Sequence, residues 1–299
     1  MPKSITILLL SFAVSLATTR AASGQTTKAQ SKPPAAPAQL AAIEARGMKL
    51  FLYETALAAS MDALKGSKIK SGSVIRETDG ENFSSLVELN QKGFRTAFGR
   101  LGGEKQCYFI DFLVEGEWQD AAAKSPRTGE PIFLSPPQED QSSFLAMARA
   151  LSLVKEEKAK LLPYRNHHYA VLPDTQPDSF FVYFYPAPKV KDTYFLGGDL
   201  RARVEGNRVK EWRPMHRSIL SYPHATGGKK QIEPVMGVHS AVMDERPEDS
   251  DVMHVLLRKP STGEMVITKT YLYEIEKSGK IKYRGPIKSY LKGARGKNH

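Results

Sequence analysis

The spacing of apolar residues changes period along the chain, and each change predicts an element. Over 39–64, Leu40, Ile43, Gly47, Leu50, Glu54, Leu57, Met61 and Leu64 recur at steps of three and four. That is one face of a helix, apolar except at Gly47 and Glu54, with Gly66 as a stop. A single amphipathic helix needs a partner, and the sheet that follows supplies one. From 73 to 115 the period falls to two. Residues 86–89 lead into a turn at Asn90-Gln91-Lys92-Gly93, 94–101 return, and 106–115 (QCYFIDFLVE) form the strongest strand of this half. Residues 116–137, with Pro126, Gly129, Pro131, Pro136 and Pro137, read as a long surface loop. A second helix is predicted over 138–162, with Phe144, Met147, Ala148, Leu151 and Val154 as its stripe and Pro163 as its stop.

The second half returns to strands, at 167–172, 179–185, 193–204 and 209–212, with Gly206-Asn207 as a tight turn. The aromatic run SFFVYFY over 179–185 is expected in a core. A loop over 221–234 delivers the chain to its densest stretch, 236–283. There, 235–242 reads as a strand carrying His239 and Ser240. Asp244, Glu245, Glu248, Asp249 and Asp251 follow, with Pro247 placed to begin a helical turn and Arg258-Lys259 at its far end. Acids before bases match a helix dipole. Strands at 265–267 and 270–276 and a hairpin through Ser278-Gly279 close the stretch. The fold class predicted is α+β: antiparallel β meanders with an N-terminal amphipathic helix and a middle helix.

Composition adds a location. Met1-Pro2-Lys3, the apolar run 5–17 and small residues at Ala22-Ser23-Gly24 predict a signal peptide over 1–24, hence a periplasmic or secreted bacterial envelope protein. A Pro/Ala-rich linker is expected over 25–38. A helix-plus-meander subdomain is expected over 39–165, a β-rich subdomain over 166–284 and a basic flexible tail over 285–299. No later run is long enough to span a membrane. The single cysteine, Cys107, excludes an internal disulfide framework. The formal charge is +11, but residues 277–299 carry eight Lys and Arg and no acid. The body is close to neutral, so specific nucleic-acid binding is not expected. The tail leaves an anionic polymer, or an envelope protein, as the partner class.

Few catalytic patterns are present. G-x-S-x-G, HExxH, CxxC, the phosphate-binding glycine loops and the D-x-D-x-D-G calcium loop are all absent. Ser240 beside His239 is adjacency only, because neighbouring strand residues face opposite ways. The remaining chemistry is metal ligation. His239 and Asp251 can converge if the strand end faces the helix start, and His254 lies one turn beyond Asp251. With Glu248 as general base, these three would make an open hydrolytic site for zinc or another divalent metal.

Two resemblances accompany this reading. The succession EARGMKLFLYETALAASMDAL, YAVLP, FFVYFYPA, FLGGDLRARVEGNRV, His239, PEDSD, MVIT and YLYEIEKSGKI is similar to a recurrent kind of exported bacterial protein, a likeness that carries no activity. Residues 236–283 resemble the second half of the JAB/MPN (JAMM) metalloprotease-like domain, with its His-x-His, a Pro-Ser-x-x-Asp helix start, a strand and a hairpin. His239, Pro247 and Asp251 match; the second His is Ala241, the Ser is Glu248, and the upstream catalytic Glu has no counterpart. The resemblance implies a degenerate, non-catalytic relative. The reading that follows is a non-enzymatic binding or interaction protein without a cofactor. The alternative is a metal-dependent hydrolase, and polyanion binding through the tail comes third.

Overall fold

The computed structural model describes residues 33–67, 83–103, 105–119, 125–140, 143–158, 167–187, 193–223, 236–259 and 261–290. The expected signal peptide, most of the linker, the start of the first β region at 73–82, the loop at 224–235 and the tail beyond 290 lie outside them. The described residues belong to one compact unit, Pro33–His299. They are a mixture of helices and strands in which strands predominate.

The first helix, α1 (Pro37–Gly66), begins on Pro37, whose missing N–H costs nothing in a first turn. Its buried row runs Leu40, Ile43, Gly47, Leu50, Tyr53, Ala56, Ser60 and Leu64. The expected face therefore holds to Leu50 and then turns onto Tyr53, Ala56 and Ser60. Polar groups lie on this row because they are bonded: Tyr53 Oη donates to the Ser85 carbonyl and Ser60 Oγ to Thr96 Oγ1.

Strands β1 (Phe83–Leu89), β2 (Gly93–Leu101) and β3 (Tyr108–Trp118) pair in sequence, antiparallel. Two strands fall in the expected surface loop, the three-residue β4 (Pro126–Thr128) and the nine-residue β5 (Ile132–Asp140), which runs past its end; each is paired with β3. Proline is tolerated at the first residue of a strand and at bulges. Pro126 opens β4, and Pro136 and Pro137 fall where the β3–β5 register shifts between Ile110 and Phe112. Because β5 extends to Asp140, the middle helix, α2 (Ser143–Lys158), starts later than the expected 138 and just before its apolar stripe begins at Phe144.

A second sheet has the order β10 (Arg208–Pro214), β9 (Leu200–Glu205), β7 (Ser179–Pro186), β6 (His167–Pro173). The expected single strand over 193–204 is broken. Gly197 and Gly198 take φ of +84° and +70°, and a Cβ on Gly197 would lie 2.2 Å from the Ser218 carbonyl oxygen. The break sends β8 (Thr193–Gly197) to a two-stranded ribbon with β11 (Ile219–Pro223) and places Asp199 at the bend. The last sheet has the order β12 (Met236–Ser240), β13 (Gly263–Ile267), β14 (Tyr271–Ile275), β15 (Ile281–Pro286). Here β12 and β13 are parallel, against the all-antiparallel expectation. A parallel pair needs a long crossover, and α3 (Asp249–Leu257) provides it.

One helix serves several cores. Leu40 and Ile43 pack with Val252 and Val255 of α3 and with Val266 and Tyr273 of the last sheet. Leu50, Tyr53 and Ala56 pack with Val87, Ala170, Leu172 and Tyr183, while Leu64 meets Phe98, Phe112 and Val114. Helix α2 fills the core between the first two sheets with Phe144, Met147, Leu151 and Val154.

Candidate functional site

The acids at the start of α3 have a local reason to gather. Glu248 is the N-cap, Asp249 and Asp251 lie in the first turn, and negative charge is favoured there. Asp251 Oδ2 accepts the Glu248 backbone N–H at 2.8 Å, half of a capping box. Tertiary structure then aims each carboxylate at a different partner.

Asp249 is fully buried and serves as an anchor. Its Oδ2 accepts from Tyr183 Oη (2.9 Å), Arg201 Nη1 (2.7 Å) and Arg46 Nε (3.0 Å). Helix α1, strands β7 and β9 and helix α3 are thereby joined at one carboxylate. Glu248 is held by Arg213, whose Nη2 and Nε donate to its two oxygens; Asp244 shares the same guanidinium. Burial raises the Glu248 carboxyl to about 7 against the pull of Arg213, with Asp249 and Asp251 adding to the rise.

Asp251 turns inward. Its Oδ1 lies 3.0 Å from His216 Nε2 and 3.2 Å from His239 Nε2. Each imidazole is backed by a second carboxylate on its other nitrogen: His216 Nδ1 is 2.6 Å from Asp199 Oδ1, and His239 Nδ1 is 2.9 Å from Glu264 Oε1. Arg258 pairs with the far oxygen of Glu264. Gly237 makes this possible, since a Cβ there would sit 1.7 Å from Glu264 Oε2 and 2.3 Å from Arg258 Nη1. The centre is enclosed: the side chains of His216, His239 and Asp251 are 7%, 2% and 0% exposed.

Burial alone would lower the His239 imidazole, but Asp251 and Glu264 overcome it and raise it to about 9. Burial is likewise overcome at His216, which Asp199 and Asp251 hold well above the ordinary range. Asp251 is held well below its usual range by the two histidines, against burial. His254 goes the other way. Burial first, then the positive charges of Arg258, His239 and His216, lower it to about 3, so it stays neutral.

Two of the residues proposed from sequence, His239 and Asp251, come together. His254 is buried on α3 but is not among the ligand atoms that converge within 4.8 Å; the third member of that group is His216. Glu248 faces Arg213 instead of this group. Sequence reasoning missed His216 and Asp199. His216 lies in the short link between β10 and β11, 23 positions before His239, with no motif spacing to mark it. The Gly197-Gly198 pair was the only local signal near Asp199.

Elsewhere, a half-open groove of ≈ 880 Å³ lies between α1, the β1–β2 turn, α2 and the β6–β7 turn. Leu52, Trp118, Leu145, Met147 and Phe180 give it an apolar wall. Among its charged residues, Glu88 is engaged by Arg95 and Ser143, Arg149 donates to the Lys105 carbonyl and to Gln106 Oε1, Lys49 is an exposed cation, and Asp178 is exposed at the β6–β7 turn. No helix among the described residues is long and apolar enough to cross a membrane. Comparison of the chain with known protein families, curated proteins and solved structures returned no match.

Proposed function

We propose that the chain is an exported, non-enzymatic binding protein of the bacterial envelope, built on antiparallel meanders with α1 and α2 packed against them. One contrast carries this reading. The acid–base groups that sequence offers for catalysis are enclosed and engaged, Glu248 by Arg213 and Asp251 by two histidines, whereas the groove is open and largely apolar. Its volume falls in the range of small-molecule sites, roughly 300–1,000 Å³. An apolar wall with Lys49 at its edge suits an amphipathic anion. Titration with dodecanoate, followed by Trp118 emission, tests this. A saturable change that Trp118→Phe abolishes and Lys49→Glu weakens at least fivefold is expected. No saturable change in the wild type, or equal affinity in Lys49→Glu, removes the reading.

A metal-dependent hydrolase is the second reading, favoured by the convergence of His239 and Asp251 at 3.2 Å. The enclosure of those side chains weighs against it, because substrate and water must both reach a hydrolytic metal. Zinc-supplemented protein that hydrolyses ester or peptide substrates, with activity lost in Glu248→Gln, would promote it over the first. Polyanion binding is the third: Lys282 and Arg284 on β15 are already paired with Glu276 and Glu274, which leaves this role to the tail.

A further inference from the structure

We infer that His216, His239 and Asp251 form a site for a divalent cation of the zinc class, which fastens the β10–β11 link, β12 and α3 to one another. The inference does not depend on whether the groove takes a ligand. Its third donor also lies outside the 236–283 pattern, which has Ala241 where a second histidine would stand.

Four observations carry it. First, one ligand atom each of His216, His239 and Asp251 lie within 4.8 Å of one another, and Asp251 Oδ1 is 3.0 Å from His216 Nε2 and 3.2 Å from His239 Nε2. Metal–ligand bonds near 2.0–2.1 Å at tetrahedral angles place neighbouring donors about 3.3 Å apart. Second, Asp251 Oδ1 is ion-paired with both rings, yet none of these three buried atoms meets hydrogen-bond geometry. Imidazolium N–H groups bonded to Asp251 would be aligned with its oxygen, and these are not. Third, each Nδ1 is occupied by a carboxylate, Asp199 or Glu264, the arrangement that fixes a histidine with Nε2 free for a metal. Fourth, the immediate group holds three carboxylates (Asp199, Asp251, Glu264) and one guanidinium (Arg258). A divalent cation that displaces the two imidazolium protons leaves the charge balance of this group at zero. Two imidazoles and one carboxylate suit zinc or a neighbouring transition ion; calcium and magnesium prefer all-oxygen shells.

The experiment is equilibrium dialysis of the chelator-stripped full chain against Zn²⁺, with Ca²⁺ and Mg²⁺ in parallel and Co²⁺ absorption as a spectroscopic readout. About one Zn²⁺ per chain is expected, together with a rise in melting temperature and cobalt d–d bands. His216→Ala and His239→Ala should each lose that zinc, while His168→Ala keeps it. Glu264→Gln, which keeps the side chain's shape, should weaken binding about 10–100-fold. Less than a tenth of an equivalent in the wild type overturns the proposal whatever the variants do. So does zinc retained at full affinity by folded His216→Ala, or Ca²⁺ bound as tightly as Zn²⁺.

Discussion

Gly47→Ala offers a test whose expected sign opposes the simple rule. In a helix interior, replacing Gly by Ala ordinarily stabilises by about 0.5–1 kcal/mol. Gly47 sits mid-helix in α1, facing α3. A Cβ built there would lie 2.4 Å from Val252 Cβ, 2.8 Å from Val252 Cγ1 and 2.7 Å from the Asp249 carbonyl oxygen. None of these is the free end of a flexible side chain, so the helices must separate. Overpacking of this kind costs about 1–3 kcal/mol, and the shift also disturbs Arg46 and Asp249, which bond across the same contact. A net loss of about 1–2 kcal/mol is expected after the propensity gain, a fall of a few degrees in melting temperature. Urea denaturation of Gly47→Ala, Val252→Ala and the double variant measures it. The double variant should recover only a small part of the Gly47→Ala loss, because Val252→Ala removes the Cγ1 contact but leaves the Val252 Cβ at 2.4 Å and the Asp249 carbonyl at 2.7 Å. A Gly47→Ala chain that is more stable than wild type would refute the close α1–α3 approach.

Other expectations follow from the buried charges. Asp249→Asn leaves Arg46 and Arg201 short of their counter-charge and should cost about 3–5 kcal/mol in the same assay; a loss under 1 kcal/mol would show the node to be unimportant. For the metal-free chain, His239 is raised from 6.5 to about 9. Its stabilisation is therefore complete below pH 6.5 and is lost as pH climbs through 9, up to about 3 kcal/mol. Urea denaturation in chelator at pH 6, 7.5 and 9 should show this decline, flattened in His239→Gln; a rise over that window would contradict it. Glu248→Gln should leave zinc affinity within about threefold, since Glu248 faces Arg213; a large loss in dialysis would place it at the metal.

The α+β class was legible because it rests on periodicity, which burial enforces locally. The first half of the α1 face, the β1–β3 hairpins and the acid-led start of α3 all have local causes. What was illegible depends on partners distant in sequence. Tyr53 and Ser60 belong to the buried face only because Ser85 and Thr96 receive their hydroxyls. The parallel β12–β13 pairing is a property of the crossover, and each strand alone looks the same either way. For the site, His239 and Asp251 were readable as candidates because strand end and helix start adjoin in sequence. His216 was not, since a bend at Gly197-Gly198 and a four-residue link between β10 and β11 bring it in. His254 looked equally suitable on helical spacing, yet the converging group excludes it.

The most direct measurement is zinc K-edge X-ray absorption of the full chain loaded with one equivalent. Nitrogen and oxygen donors near 2.0–2.1 Å, with outer-shell scattering from two imidazoles, are expected. A first shell with one imidazole or none would contradict a centre built from His216, His239 and Asp251.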